Sequence, residues 1–171
     1  MKQRGPIVIT GFMGCGKSRV ARELALRRNV VMVDLDDWIR RRVGRSPAQL
    51  INEDGERAFR AIETKALREL LQSGEAGVIA LGGGAWIEEG NRELIDQFGC
   101  TSIWLDTPFE ICWRRIAASE EDRPLGRTRE EAEARYDRRK PIYALAQLRI
   151  QVNIDQPLDH LISVINHGLH G

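Results

Sequence analysis

The sequence predicts an α/β domain, a three-layer sandwich in which a mostly parallel sheet is covered by helices on both faces. Three observations predict it. Five short apolar runs, at residues 7–10, 30–33, 78–81, 102–105 and 148–152, alternate with longer segments of helical periodicity. The first run enters the first helix through a glycine-rich loop, Gly11-Phe12-Met13-Gly14-Cys15-Gly16-Lys17-Ser18. No repeat, low-complexity tract or linker divides the 171 residues, so a single domain over 1–171 is expected.

In chain order, the strand at 7–10 leads to a helix over 17–28, where Val20, Leu24 and Ala25 recur at helical spacing among charged residues. The second strand ends in Asp34-Leu35-Asp36-Asp37. A short helix over 37–43 follows, with Asp37 at its start, and stops at Gly44. Ser46-Pro47 reads as an N-cap and first helical position. A longer helix over 56–72 carries the apolar stripe Phe59, Ile62, Ala66, Leu67, Leu70 and Leu71. The third strand is closed abruptly by Gly82-Gly83-Gly84, and a helix over 91–98 precedes the fourth. Thr107-Pro108-Phe109-Glu110 combines an N-cap, a first-turn proline and a capping-box glutamate, opening a helix to 118. After a polar stretch at 119–127, Thr128 with Glu131 caps a helix that runs to 140 and ends at Pro141. The strand at 148–152 and a helix over 157–167 complete the chain.

Composition narrows the function classes. The 26 basic and 25 acidic residues nearly cancel, leaving +1, which argues against a nucleic-acid or membrane partner. Three scattered cysteines without C-x-x-C spacing fit a reducing compartment better than a disulfide framework or a zinc site. No run reaches membrane-spanning length, and the N-terminal apolar run is broken at Gly11 and Gly14, unlike a signal peptide. A cytoplasmic, monomeric enzyme is expected.

The loop at 11–18 reads G-x-x-x-x-G-K-S between a strand and a helix, the arrangement that cradles nucleotide phosphates. Its glycines let successive backbone N–H groups turn inward on phosphate oxygens. Lys17 supplies a positive charge for the β- and γ-phosphates, and the Ser18 hydroxyl can ligate Mg²⁺. ATP or GTP is therefore expected. Cys15, at the mouth of a helix N-terminus, is expected to be a reactive thiolate that bound nucleotide protects.

Asp34 and Asp36, two residues apart past the second strand, can face the same sheet edge as the phosphate loop. A small-molecule kinase needs one carboxylate near the metal and another that orients the acceptor alcohol and takes its proton. Three consecutive glycines at 82–84 cost backbone entropy that a plain turn does not require, so a close ligand approach is expected there. Arg40, Arg41 and Arg42 read as a solvated helix face. Arg123 lies in the polar stretch where a mobile lid would sit. Spacing alone does not separate Arg60, Arg123 or Arg139 from Arg92 or Arg135.

Taken together, Gly-Phe-Met-Gly-Cys-Gly-Lys-Ser at 11–18, Asp-Leu-Asp at 34–36, Gly-Arg-Ser at 44–46, Asp-Gly-Glu at 54–56, Phe-Arg at 59–60, Glu63, Gly-Gly-Gly at 82–84, Arg-Pro-Leu at 123–125 and Arg-x-Pro-x-Tyr at 139–143 resemble the shikimate kinase family. This is a P-loop family of nucleoside-monophosphate-kinase-like fold, and the similarity covers nearly the whole chain. The resemblance implies a five-stranded parallel sheet in the order 2-3-1-4-5, a substrate-binding subdomain around 35–62 and a lid around 115–127. It implies phosphorylation of the 3-hydroxyl of shikimate by MgATP, on the route to chorismate and aromatic amino acids.

Carried over by residue, Gly14, Cys15, Gly16, Lys17, Ser18 and Arg19 would wrap the ATP phosphates. Ser18 would lie on Mg²⁺, with Asp34 near it through water. Asp36 would hold the attacking hydroxyl, and Arg60 and Arg139 would clamp the carboxylate. Gly82, Gly83 and Gly84 would bring backbone to the substrate, and Arg123 would close with the lid as a transition-state stabiliser. The chain departs from the family pattern at Arg19, at Arg40, at Gly126, which is expected to loosen lid packing, and at 153–157, which lacks an arginine for adenine. A sugar-acid kinase of gluconate type and a non-catalytic nucleotide-binding module are the competing readings.

Overall fold

The structure, a computed structural model, describes residues 5–170. Five strands, β1 (Ile7–Thr10), β2 (Met32–Asp34), β3 (Val78–Ala80), β4 (Thr101–Asp106) and β5 (Leu148–Gln151), form one sheet in the order β2-β3-β1-β4-β5. Every pairing is parallel, with Ile7 beside both Val78 and Thr101, and Met32 beside Val78. The central strands are apolar on both sides because helices cover both: all four residues of β1 and all three of β3 are buried. Strand order reverses at β1, so the carboxyl ends of β1 and β3 open a crevice where α/β sheets bind ligands.

The helices are α1 (Lys17–Arg28), α2 (Leu35–Val43), α3 (Pro47–Asp54), α4 (Glu56–Ser73), α5 (Glu89–Gln97), α6 (Phe109–Ala118), α7 (Arg129–Tyr143) and α8 (Leu158–His170). A 3₁₀ turn, Ala85–Ile87, follows the glycine triplet. Among the described residues no helix is long and apolar enough to cross a membrane.

Several boundaries differ from expectation for identifiable reasons. Asn29 caps α1 in the left-handed region, φ 53°, and the chain joins the sheet only at Met32, leaving Val30 and Val31 exposed. Helix α2 begins two residues early because Asp34, not Asp37, is its cap: its side chain accepts the N–H groups of Asp36 and Asp37. Pro108, not Thr107, occupies the N-cap of α6, and the Thr107 hydroxyl instead donates to the Cys15 carbonyl at 3.1 Å. Helix α5 starts at Glu89, two residues before the predicted start. Helix α7 runs through Pro141 to Tyr143. The proline forfeits one bond in the last turn, a loss offset by the buried Tyr143, whose hydroxyl donates to the Gly83 carbonyl. Ser46 caps α3 and the Thr128–Glu131 box forms as predicted; Gln49 completes a second box with Ser46 that was not predicted, while the predicted box of Thr107 with Glu110 does not form.

Candidate active site

A cleft of about 700 Å³ opens at the switch point, and every predicted site residue except Cys15 lines it. Its floor is the phosphate loop. Gly14 and Gly16 adopt φ 75° and 100°, and a side chain at 14 would meet the Cys112 carbonyl at 2.7 Å, so the curl tolerates only glycine there. The first-turn N–H groups of α1 have no helical acceptor and stay available to an anion. Lys17 Nζ folds back on the carbonyls of Gly11 and Phe12 at 2.8 and 2.9 Å. Cys15 corrects the prediction: it is buried, and its N–H donates to the Phe12 carbonyl. Its thiol packs within the loop, beside the place a Gly11 side chain would take and 3.8 Å from Lys17 Nζ, and does not line the cleft.

Beside the loop stands a carboxylate triad. The Ser18 hydroxyl donates to Asp34 Oδ2 at 2.6 Å, while Asp34 Oδ1 caps α2 by accepting the Asp36 N–H at 3.0 Å. Asp34 therefore ties the loop to the start of α2 and orients the residue two positions on. Asp36 Oδ1 is buried and has no hydrogen-bond partner. Burial, then the negative charges of Glu63 and Asp34, push its carboxyl up to about 7, with Lys17 and Arg60 opposing. A side chain on Gly82 would lie 2.9 Å from Asp36 Oδ1 and 3.2 Å from Glu63 Oε2. The first glycine of the triplet is thus the place where backbone and two carboxylates converge.

Glu63 was given no role in the sequence reading. It is fully buried; Oε1 accepts from Arg60 at 2.6 Å, Oε2 has no partner, and burial raises its carboxyl. The signal was present: Glu63 falls within the apolar stripe of α4, four residues from both Phe59 and Leu67. An acid on a buried face needs a reason. Arg60 also reaches Glu56 at 3.3 Å and lies against Gly84, while Arg139 is buried near Gly83. Arg40 is exposed, as read, pairs with Asp37 at 2.9 Å and borders the cleft.

The stretch between α6 and α7 forms the opposite wall. Arg123 donates to Glu121 at 3.0 Å, and its buried Nε has no partner. Asn52 on α3 donates to Asp122 at 2.7 Å and accepts from Arg127 at 3.1 Å, fastening this stretch across the cleft. From the other side, Arg135 Nε donates to the Leu125 carbonyl at 2.7 Å. Gly126 is buried, with Met13 and Ala132 nearest to it.

A hydroxyl and a carboxylate, both hard oxygen donors already touching, suit Mg²⁺, which binds through one or two protein oxygens plus phosphates and water. Among the described residues no cluster of three or more His, Cys, Asp or Glu could hold a metal alone. A shared, substrate-completed site fits that donor set.

Phosphate loop, paired acids and facing arginines make a kinase site, and sequence comparison says of which family. The shikimate kinase family model matches residues 13–167. The chain belongs to the shikimate kinase family. A shikimate kinase from Cereibacter sphaeroides is 38% identical over 148 residues, covering 85% of this chain and 73% of that protein. The solved shikimate kinase from Acinetobacter baumannii in complex with shikimate superposes with a TM-score of 0.86 at 30% identity, covering 99% and 94% of the two chains. A gluconokinase from Sinorhizobium meliloti 1021, at 17% identity, TM-score 0.69 and coverage of 98% and 94%, shares the fold and no more. Membership of the family makes ATP the co-substrate.

Proposed function

We propose that this enzyme transfers the γ-phosphoryl group of MgATP to the 3-hydroxyl of shikimate, giving shikimate 3-phosphate and ADP for chorismate and aromatic amino acid synthesis. The observation that carries the reading is the unpartnered, buried Asp36 oxygen, in one cleft with the phosphate loop and the arginines Arg60 and Arg139. That set of groups suits an acceptor that carries both an alcohol and a carboxylate. In its ionised form Asp36 accepts the hydroxyl proton as the oxygen attacks the γ-phosphorus and the bond to the β-phosphate oxygen breaks. Held by Ser18 and Asp34, Mg²⁺ would neutralise charge developing on the phosphates. Lys17 leaves its two loop carbonyls for phosphate oxygens, and Arg123 leaves Glu121 to do the same. Backbone at 82–84 meets the remaining hydroxyls. Residues 35–62 act as the acceptor subdomain and 115–127 as the lid, in a cytoplasmic monomer whose three cysteines are all free.

ADP release with MgATP across a panel of hydroxy acids tests the reading. Shikimate should be turned over with a kcat/KM at least 10²-fold above gluconate, since buried polar groups left unpaired reject a mismatched acceptor strongly. Equal or better turnover of gluconate would move the chain to the sugar-acid reading.

Arg60→Lys isolates the clamp. An ammonium cannot reproduce a two-pronged guanidinium contact. Shikimate binding should weaken by roughly 1.5–3 kcal/mol, the usual worth of a charged hydrogen bond, with MgATP binding nearly unchanged. Calorimetric titration showing both ligands weakened alike would assign Arg60 to the fold instead, through its pair with the buried Glu63.

A further inference from the structure

Behind the clamp lies a second cavity of about 260 Å³, on the α7 side of Arg60 and Arg139. Four arginines line it, Arg60, Arg135, Arg138 and Arg139, against two acids, Glu56 and Glu88. Arg60 is already held by Glu56 at 3.3 Å and by the buried Glu63 at 2.6 Å, so the cations left over are those of α7. Arg135, Arg138 and Arg139 fall three and four residues apart on α7, so they share one face. None of the three forms an ion pair within 4.0 Å among the described residues. The phosphoryl-transfer site does not explain Arg138, and it explains Arg135 only through the Nε that holds the Leu125 carbonyl; neither arginine lines the main cleft.

We infer that this cavity is a second anion site, taking a small oxyanion such as inorganic phosphate, and that its occupancy weakens the grip of Arg60 and Arg139 on the acceptor carboxylate. Chemistry and size support it. Guanidinium forks match oxyanion geometry, and convergent cations without enough acids leave charge that an anion would neutralise. The repulsion is already felt: Arg135 is held below the usual arginine range by burial first, then by Arg139, Arg138 and Arg60, with Glu56 offsetting only in part. An anion behind the clamp would draw the same guanidinium protons that the acceptor carboxylate needs in front. Coupling between two sites sharing side chains is reciprocal, so shikimate should also weaken the anion.

Two measurements test this at constant ionic strength. First, phosphate is titrated calorimetrically into enzyme saturated with a non-hydrolysable MgATP analogue, which fills the phosphate loop. One-to-one heat is expected, lost in Arg138→Gln, a change at an exposed residue that should leave folding and basal turnover alone. Second, the KM for shikimate at saturating MgATP should rise about fivefold with phosphate and then level off, the low end of usual site-to-site coupling, and Arg138→Gln should abolish the rise. Heat that persists unchanged in Arg138→Gln, or no heat, overturns the site. A KM that climbs without limit means phosphate simply competes for the acceptor position, which also overturns it. The second half rests on the clamp proposed above and fails separately. Arg138-dependent heat with an unmoved KM would uphold the anion site and overturn its coupling to Arg60 and Arg139.

Discussion

Asp36→Asn should fold, bind MgATP nearly as the parent enzyme does, and lose on the order of 10²–10⁴ in turnover, the usual range for general-base assistance. Asparagine keeps the size and one hydrogen-bonding oxygen but cannot take a proton. Asp37→Asn should change little, because the Asp37 carboxylate is half-exposed and pairs with the exposed Arg40. The two acids are adjacent in sequence, so the contrast tests the geometry rather than the neighbourhood. The carboxyl of Asp36 sits at about 7, so it is protonated and idle below that pH and ionised above it. The parent kcat/KM for shikimate should therefore fall about tenfold per pH unit below 7, and the limb should vanish in Asp36→Asn. Stability carries a sign of its own. A carboxyl raised by folding binds its proton more tightly folded than unfolded, so its contribution is present in acid and lost as pH rises from about 4 to 7. Asp36→Asn should melt above the parent at pH 8, and the gap should close toward pH 4. A dead Asp37→Asn, or an Asp36→Asn with most of its turnover, would place the acceptor elsewhere.

What could be read from the chain and what could not divide along a physical line. The phosphate loop, the limits of α1 and the Thr128 capping box depend on residues within a few positions of one another and appear where read, whereas the box read at Thr107 and Glu110 does not form because Pro108 takes the cap. Strand β2 starts two residues later than read because Val30 and Val31 look buried by type, although both side chains are exposed and only the Val31 carbonyl reaches β3. Local pattern could not show that Asp34 is at once the cap of α2 and the partner of Ser18, since the hydroxyl comes from another element. Glu63 was legible as an anomaly in an apolar stripe, but its meaning depends on Asp36 and Gly82 meeting it in space. Asn52 bonds to Asp122 from 70 residues away, and no short-range signal announces such a contact. Its effect is to hold the wall that carries Arg123.

Arg123→Ala should lower turnover by roughly 10³-fold, the scale typical of an arginine that stabilises a transferring phosphoryl group, while MgATP affinity changes little. The structure supplies the reason for that split. Arg123 lines the cleft, yet its guanidinium is engaged by Glu121 at 3.0 Å, with Nε buried and unpartnered. Resting there, it should contribute little to ground-state nucleotide binding, which we assign to the loop backbone and Lys17. Only when charge develops on the phosphates does leaving the exposed Glu121 become favourable, and an interaction made only in the transition state acts on kcat. Neighbouring arginines are poor substitutes: Arg127 is held by Asn52 and Asp122, and Arg115 by the Gly14 carbonyl at 3.1 Å. Arg123→Lys should recover part of the loss, since an ammonium restores charge without the fork. Single-turnover kinetics separate the chemical step from nucleotide binding and product release. An Arg123→Ala enzyme with near-normal chemistry would shift the assignment to Arg115, freed from Gly14 once ATP occupies the loop. A variant losing nucleotide affinity and turnover in equal measure would make Arg123 a ground-state phosphate ligand.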